Sequence, residues 1–218
     1  MRCGGSRHST DVLRHDRSAR SEQQLNNPEN PTVLIVPGLR DHVADHWQTH
    51  LAGKLPNTRT VPPLEHDKLS REARVEALDR VVADIAGPIV IVAHSAGVMI
   101  TVHWAQRHAR ETRGALLATP PDFESRLPDG YPVPDDLYRN GWLPTPRELL
   151  PFPSIVAAST NDPLARLAQV ADMARDWGSR LVDLGAVGHL NPASGYGPWP
   201  RAEEFVRELA RTHEDAAH

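Results

Sequence analysis

From Thr32 onward the chain switches between short unbroken apolar runs and longer stretches whose apolar residues recur every three or four positions. The unbroken runs are TVLIVPG from Thr32, PIVIVAH from Pro88, GALLAT from Gly114, SIVAAST from Ser154 and RLVDLGA from Arg180, with a weaker TRTV from Thr58. Runs that do not alternate with polar residues read as strands covered on both faces, as in a parallel sheet. Between them the spacing predicts helices. One covers 44–55, with Trp47 and Leu51 on one face. The next follows Ser70, a good N-cap, carries the stripe Val75, Leu78, Val82 and Ile85, and is stopped by Gly87-Pro88. Others cover 96–108, the segment with Pro163 in its first turn and Gly178 after its end, and the segment from Pro200 onward. The proline-rich stretch 120–153 has little periodicity and reads as loop.

Strands alternating with helices predict a three-layer α/β/α domain around an open, mostly parallel, doubly wound sheet of about six strands. The domain is expected over 31–212. The polar segment 1–30 is expected to be a disordered extension, and 213–218 a disordered tail. In such sheets, ligands sit beyond the carboxyl ends of the strands.

Composition narrows the partners. The 218 residues include 28 acidic and 24 basic side chains, a balance that gives no reason to expect nucleic acid as a partner. No apolar run approaches the roughly 20 residues of a membrane helix, so no membrane partner is expected. The first residues lack the apolar core of a secretory signal, and a cytoplasmic location is the expectation. The single cysteine, Cys3, leaves no disulfide framework within the chain.

The chemistry gathers at the carboxyl ends of the strands. After the first come Pro37, Gly38, Leu39 and Arg40; after PIVIVA come His94, Ser95, Ala96 and Gly97; after SIVAAST come Asn161 and Asp162; after RLVDL come Gly188 and His189. A serine, an aspartate and a histidine thus fall on one edge of the sheet, in that order. A sharp strand-to-helix turn flanked by small residues, here Ala93 and Gly97, lifts a serine hydroxyl above a sheet. Serine is a poor nucleophile until a base takes its proton, and the base needs a carboxylate to hold its tautomer. His189 is the candidate base and Asp162 the candidate carboxylate. An oxyanion formed at Ser95 would meet the backbone N–H of Ala96, at a helix start where such donors are unpaired, and a second N–H from the loop after the first strand, at Leu39.

Each position has competitors. Asp162 before Pro163 is also a good helix cap, and Asp122 and Asp183 are alternative acids. His94, beside Ser95, is an alternative base, although a sequence neighbour tends to point to the other side of a tight turn. His42, His46 and His50 lie four apart and could line one helical face as zinc ligands, but no glutamate stands in metalloprotease spacing and no metal is expected. Neither a phosphate-binding loop nor a Gly-x-Gly-x-x-Gly follows the first strand, and no cofactor is expected.

With these residues in hand, the chain resembles the compact serine hydrolase family of the α/β-hydrolase superfamily that includes retinoblastoma-binding protein 9 and many small bacterial proteins. The matching pieces are VLIVPGL with HWQ shortly after, IVIVAHSAG, SIVAASTNDP followed by DWGSRLVDLG, and GHLNPASGYGPWP, spread over 31–211. The resemblance implies a reduced α/β-hydrolase fold without a large lid. It implies Ser95 as nucleophile, Asp162 as the acid of an Asn-Asp-Pro motif and His189 as the base of a Gly-His motif. Ala93 departs from the commoner glycine. The expected activity is hydrolysis of a small carboxylic ester or other activated acyl substrate through an acyl-enzyme. The alternatives are an aminopeptidase- or amidase-like serine hydrolase, and a non-catalytic binding protein on the same scaffold.

Overall fold

The computed structural model describes residues 30–41 and 43–211. The expectations for 1–29 and 212–218, and those for Cys3 and His42, lie outside the described residues. Six strands, β1 (Thr32–Val36), β2 (Thr58–Thr60), β3 (Ile89–His94), β4 (Thr112–Ala118), β5 (Ser154–Ala158) and β6 (Arg180–Asp183), form one sheet in the order β2-β1-β3-β4-β5-β6. Every pairing is parallel. All residues of β1, β3 and β5 are buried, which is why those runs carry no polar alternation.

Helices cover both faces. Helix α1 (Trp47–Lys54) and the last helix, α6 (Arg201–Arg211), pack Trp47, Leu51, Phe205 and Leu209 on one side. On the other side, α2 (Arg71–Ala83), α3 (Ala96–Ala105) and α5 (Leu167–Asp176) pack Leu78, Val98, Met99 and Met173. Fully burying one such side chain contributes about 1.5–3 kcal/mol. Helix α3 is apolar almost all round and is buried almost all round, between the sheet and its neighbours. The Ser70 hydroxyl caps α2, accepting from the Ala73 N–H at 3.2 Å. Among the described residues, no helix is long and apolar enough to cross a membrane.

Two expected helix starts move, α3 ends at Ala105 rather than at residue 108, and one expected loop holds a helix. Helix α1 begins at Trp47 rather than at residue 44, because the His46 ring nitrogen accepts the Gln48 N–H and makes His46 the cap. Helix α5 begins at Leu167, so Pro163 is not in its first turn. The Gln169 side chain reaches back to the Arg166 N–H at 3.0 Å and starts the helix there. The stretch 120–153 contains a six-residue helix, α4 (Pro134–Arg139), of which only Leu137 is buried.

The strand order doubles back between β1 and β3, since the chain winds outward to β2 and then returns across β1. A crevice opens at the carboxyl ends of those two strands, where the connections leave in opposite directions.

Candidate active site

Strand β3 ends at His94 and α3 starts at Ala96, so Ser95 alone makes the corner. It does so with φ 57° and ψ −130°, a left-side conformation that costs a non-glycine residue of order 1–3 kcal/mol. Its hydroxyl does not cap α3 and is left free to face outward. The corner is possible because Gly97 has no side chain: a Cβ there would lie 2.2 Å from the Val36 carbonyl oxygen. A Cβ on Gly38 would come 3.1 Å from the Ser95 Cβ, so the β1 loop passes directly over the serine.

The His189 Nε2 lies 2.8 Å from the Ser95 Oγ, and its Nδ1 lies 2.9 and 3.0 Å from the two oxygens of Asp162. A carboxylate only accepts, so Nδ1 carries the proton and donates. Nε2 is then an acceptor for the Ser95 hydroxyl. The side chains of His189 and Asp162 are 5 % and 2 % exposed, so water does not compete for this line. Asp162 also accepts from the Leu164 N–H at 2.9 Å. Its local role is therefore a turn, not the helix cap that its neighbour Pro163 suggests.

The competitors are committed elsewhere. Asp122 is buried and accepts from the Ser125 hydroxyl and the Glu124 N–H. Asp183 accepts from the Gly185 N–H at 2.7 Å. The His94 Nε2 donates to the His189 carbonyl oxygen at 2.9 Å, tying the His189 loop to the residue before the serine. Burial, then the neighbouring His189 and His46, hold its pKa well below the ordinary histidine value, so His94 stays neutral. His46 is the α1 cap, and His50 pairs with Asp45 at 3.0 Å. Among the described residues, no group of three or more metal-ligating side chains converges.

Several supporting residues were given no role by the sequence, although Gln48, Asn161 and Ser194 lie within the pieces that carry the family resemblance. The Gln48 amide donates to the carbonyl oxygens of Val36 and Val92, at 3.2 and 3.0 Å, bridging the ends of β1 and β3. The Asn161 Oδ1 accepts from the Gly188 N–H at 2.7 Å, and the Ser194 hydroxyl accepts from the His189 N–H at 3.1 Å. Arg74, on α2, donates to the Leu39 carbonyl and to the Asp41 carboxylate. The signal that could have singled out Gln48, Asn161 and Ser194 is their place in those quoted motifs; Arg74 has none.

In front of Ser95 lies a cavity of about 550 Å³, within the size range of small-molecule sites. Leu39 and Ala96 line it beside Ser95 and His189, and the proline-rich stretch supplies Phe123, Leu127 and Tyr131 to its wall.

Comparison with known proteins gives a family and a fold. The family model described as serine hydrolase matches residues 33–208. A protein from Pectobacterium atrosepticum described as a YdeN-like hydrolase is 25% identical, with a TM-score of 0.69, over 91% of this chain and 97% of its own. The ydeN gene product from B. subtilis is 16% identical, with a TM-score of 0.61, over 82% of this chain and 98% of its own. The esterase domain of a Rhodothermus marinus protein is 13% identical, with a TM-score of 0.60, over 85% of this chain and 88% of its own. These last two likenesses are of fold alone. No curated protein matches the chain in sequence.

Proposed function

Because the chain belongs to the serine hydrolase family, on an α/β-hydrolase fold, we propose that it cleaves a small carboxylic ester, or another activated acyl compound, through an acyl-enzyme on Ser95. The observation that carries this reading is the unbroken hydrogen-bonded line from the Ser95 hydroxyl through His189 to Asp162. Ser95 Oγ attacks the acyl carbon while its proton passes to His189 Nε2. The imidazolium so formed is held by Asp162. The carbonyl oxygen becomes an oxyanion and takes hydrogen bonds from the Leu39 and Ala96 N–H groups. Collapse breaks the bond to the leaving group, which takes the proton from His189. Water then attacks the acyl-enzyme, gives its proton to His189, and the acid leaves as Ser95 Oγ recovers a proton. One oxyanion donor contributes about 3–4 kcal/mol to such a barrier. No cofactor enters these steps.

The test is hydrolysis of short para-nitrophenyl esters beside a panel of aminoacyl amides. Ester turnover and fluorophosphonate labelling in wild type, both lost in Ser95→Ala with the fold intact by circular dichroism, is the expected result. Turnover retained in Ser95→Ala rejects the nucleophile. Cleavage of the amides in preference to the esters makes the protein an amidase, and a wild type that neither turns over nor labels makes it a binding protein.

A further inference from the structure

The mouth of the cavity is charged in a particular way. Its apolar wall is formed by Leu39, Leu69, Phe123, Leu127, Tyr131 and Leu164. Three charged side chains line it as well: Arg40, Asp41 and Lys68. Asp41 is already neutralised, because its carboxylate accepts from the buried Arg74 guanidinium at 2.8 Å. Arg40 and Lys68 form no ion pair with any described carboxylate, whereas Arg71, Arg80, Arg107, Arg139 and Arg147 all do. Both side chains are exposed to solvent, and Arg40 has a contact that positions it. The Arg40 guanidinium sits 5.4 Å from the centre of the Tyr131 ring, which holds it over the mouth.

Their backbones are fixed by one side chain. Arg74 donates through Nη2 to the Leu39 carbonyl at 3.3 Å, through Nη1 to Asp41, and through Nε to the Lys68 carbonyl at 2.8 Å. A guanidinium is a planar fork with donors in fixed directions. Here it clamps the residues on both sides of Arg40, and Lys68 itself, to the same point of α2. The clamp brings two cations to one cavity and occupies the carboxylate that stands beside them there.

Resting on the hydrolase reading of Ser95, we infer that the substrate carries, besides its scissile acyl bond and an apolar portion, an anionic oxygen group that Arg40 and Lys68 receive at the cavity mouth. Chemically this is a half-ester or an ester with an acidic leaving group, rather than a neutral ester. A neutral ester would leave both cations hydrated and gain nothing from them. An anionic one is steered to the mouth and held with one end fixed, which orients the acyl carbon toward Ser95.

Two matched pairs test this. The first is mono-para-nitrophenyl suberate against its methyl ester, which places the charge on the acyl side. The second is para-carboxyphenyl butyrate against its methyl ester, which places it on the leaving group. Each kcat/KM is divided by that ester's spontaneous hydrolysis rate. The anionic member of one pair is expected to lead its neutral partner by about tenfold at low ionic strength, with the lead shrinking as salt screens it. Arg40→Gln and Lys68→Gln should each cut that ratio by roughly threefold, and the double variant should bring it near parity. Arg80→Gln, the same charge change on the exposed face of α2, should leave it in place. Parity or a neutral preference in both pairs overturns the inference, as does a lead that survives the double variant. If none of the four esters turns over, the inference also falls, and fluorophosphonate labelling of Ser95 then decides whether the hydrolase reading falls with it.

Discussion

Asp162 and Asp122 stand after neighbouring strands, and both are plausible acids on sequence. What separates them is the partner each carboxylate has found. Asp162 receives the His189 Nδ1–H on both oxygens, whereas Asp122 is occupied by Ser125 and Glu124. Asp162→Asn would replace an acceptor with an amide whose NH₂ cannot accept, so the tautomer that frees Nε2 is no longer enforced. By analogy with the same change in other serine hydrolases, kcat for ester hydrolysis should fall by about 10³–10⁴-fold with little change in stability. Asp122→Asn should do the reverse, leaving kcat within a few-fold and costing about 1–2 kcal/mol of unfolding free energy through its lost charged hydrogen bonds. Esterase kinetics and urea melts on the two variants distinguish these outcomes. The position of Asp162 was legible because it stands in the loop that leaves the end of β5, but its local role was not. Asp-Pro reads as a helix cap, and only the Gln169 bond to Arg166 shows that the helix begins later. Arg74 was illegible for a different reason: on α2 it is a charged residue in an amphipathic pattern, and its partners are 6, 33 and 35 residues away.

The elements that the hydrophobic pattern predicts well are those whose burial is complete. Strands β1, β3 and β5 are buried throughout, so each run of Val, Ile and Ala admitted one reading. Helix α4 escaped because it buries only Leu137, and a single buried residue has no period. The same contrast governs glycine substitutions. Gly97 sits in the first turn of α3, where that helix meets the end of β1, and an added Cβ would lie 2.2 Å from one carbonyl oxygen and 2.8 Å from the next. Gly97→Ala must therefore push α3 off the sheet, with a loss of about 3 kcal/mol or more and of Ser95 labelling together. Gly53, in the last turn of α1, has nothing within 4 Å of the position a Cβ would take. Gly53→Ala should gain about 0.5–1 kcal/mol, because alanine loses less chain entropy on entering a helix. Thermal melts of the pair should move in opposite directions, and equal shifts would contradict the packing described for α3.

At the scale of the whole molecule, the stretch 120–153 folds over the site and is stitched down by polar bonds rather than by regular structure. The Trp142 indole donates to the Leu69 carbonyl at 2.7 Å, and Arg71 donates to the Gly141 carbonyl at 3.0 Å. The Trp177 indole donates to the Pro146 carbonyl at 2.8 Å, and His103 on α3 meets the Trp142 carbonyl at 3.2 Å. Burial lowers the His103 pKa to about 4, an effect that Arg71 and Arg107 reinforce and the bond to Trp142 partly opposes. Its folded pKa is therefore below its unfolded one. Between the ordinary histidine value and about pH 4, the unfolded chain takes up a proton that the folded chain refuses. Stability is full above that window and falls as the solution is acidified through it, and neutral His94, shifted in the same direction, adds to the loss. Between pH 7 and 5 the His103 share is on the order of 1 kcal/mol. His103→Gln keeps a donor for the Trp142 carbonyl but cannot titrate. Unfolding free energies measured at both pH values should show a smaller drop for the variant than for wild type. An identical drop would mean that His103 takes up its proton in the folded protein as readily as in the unfolded chain, and that this anchor of the 120–153 stretch plays no part in the acid response.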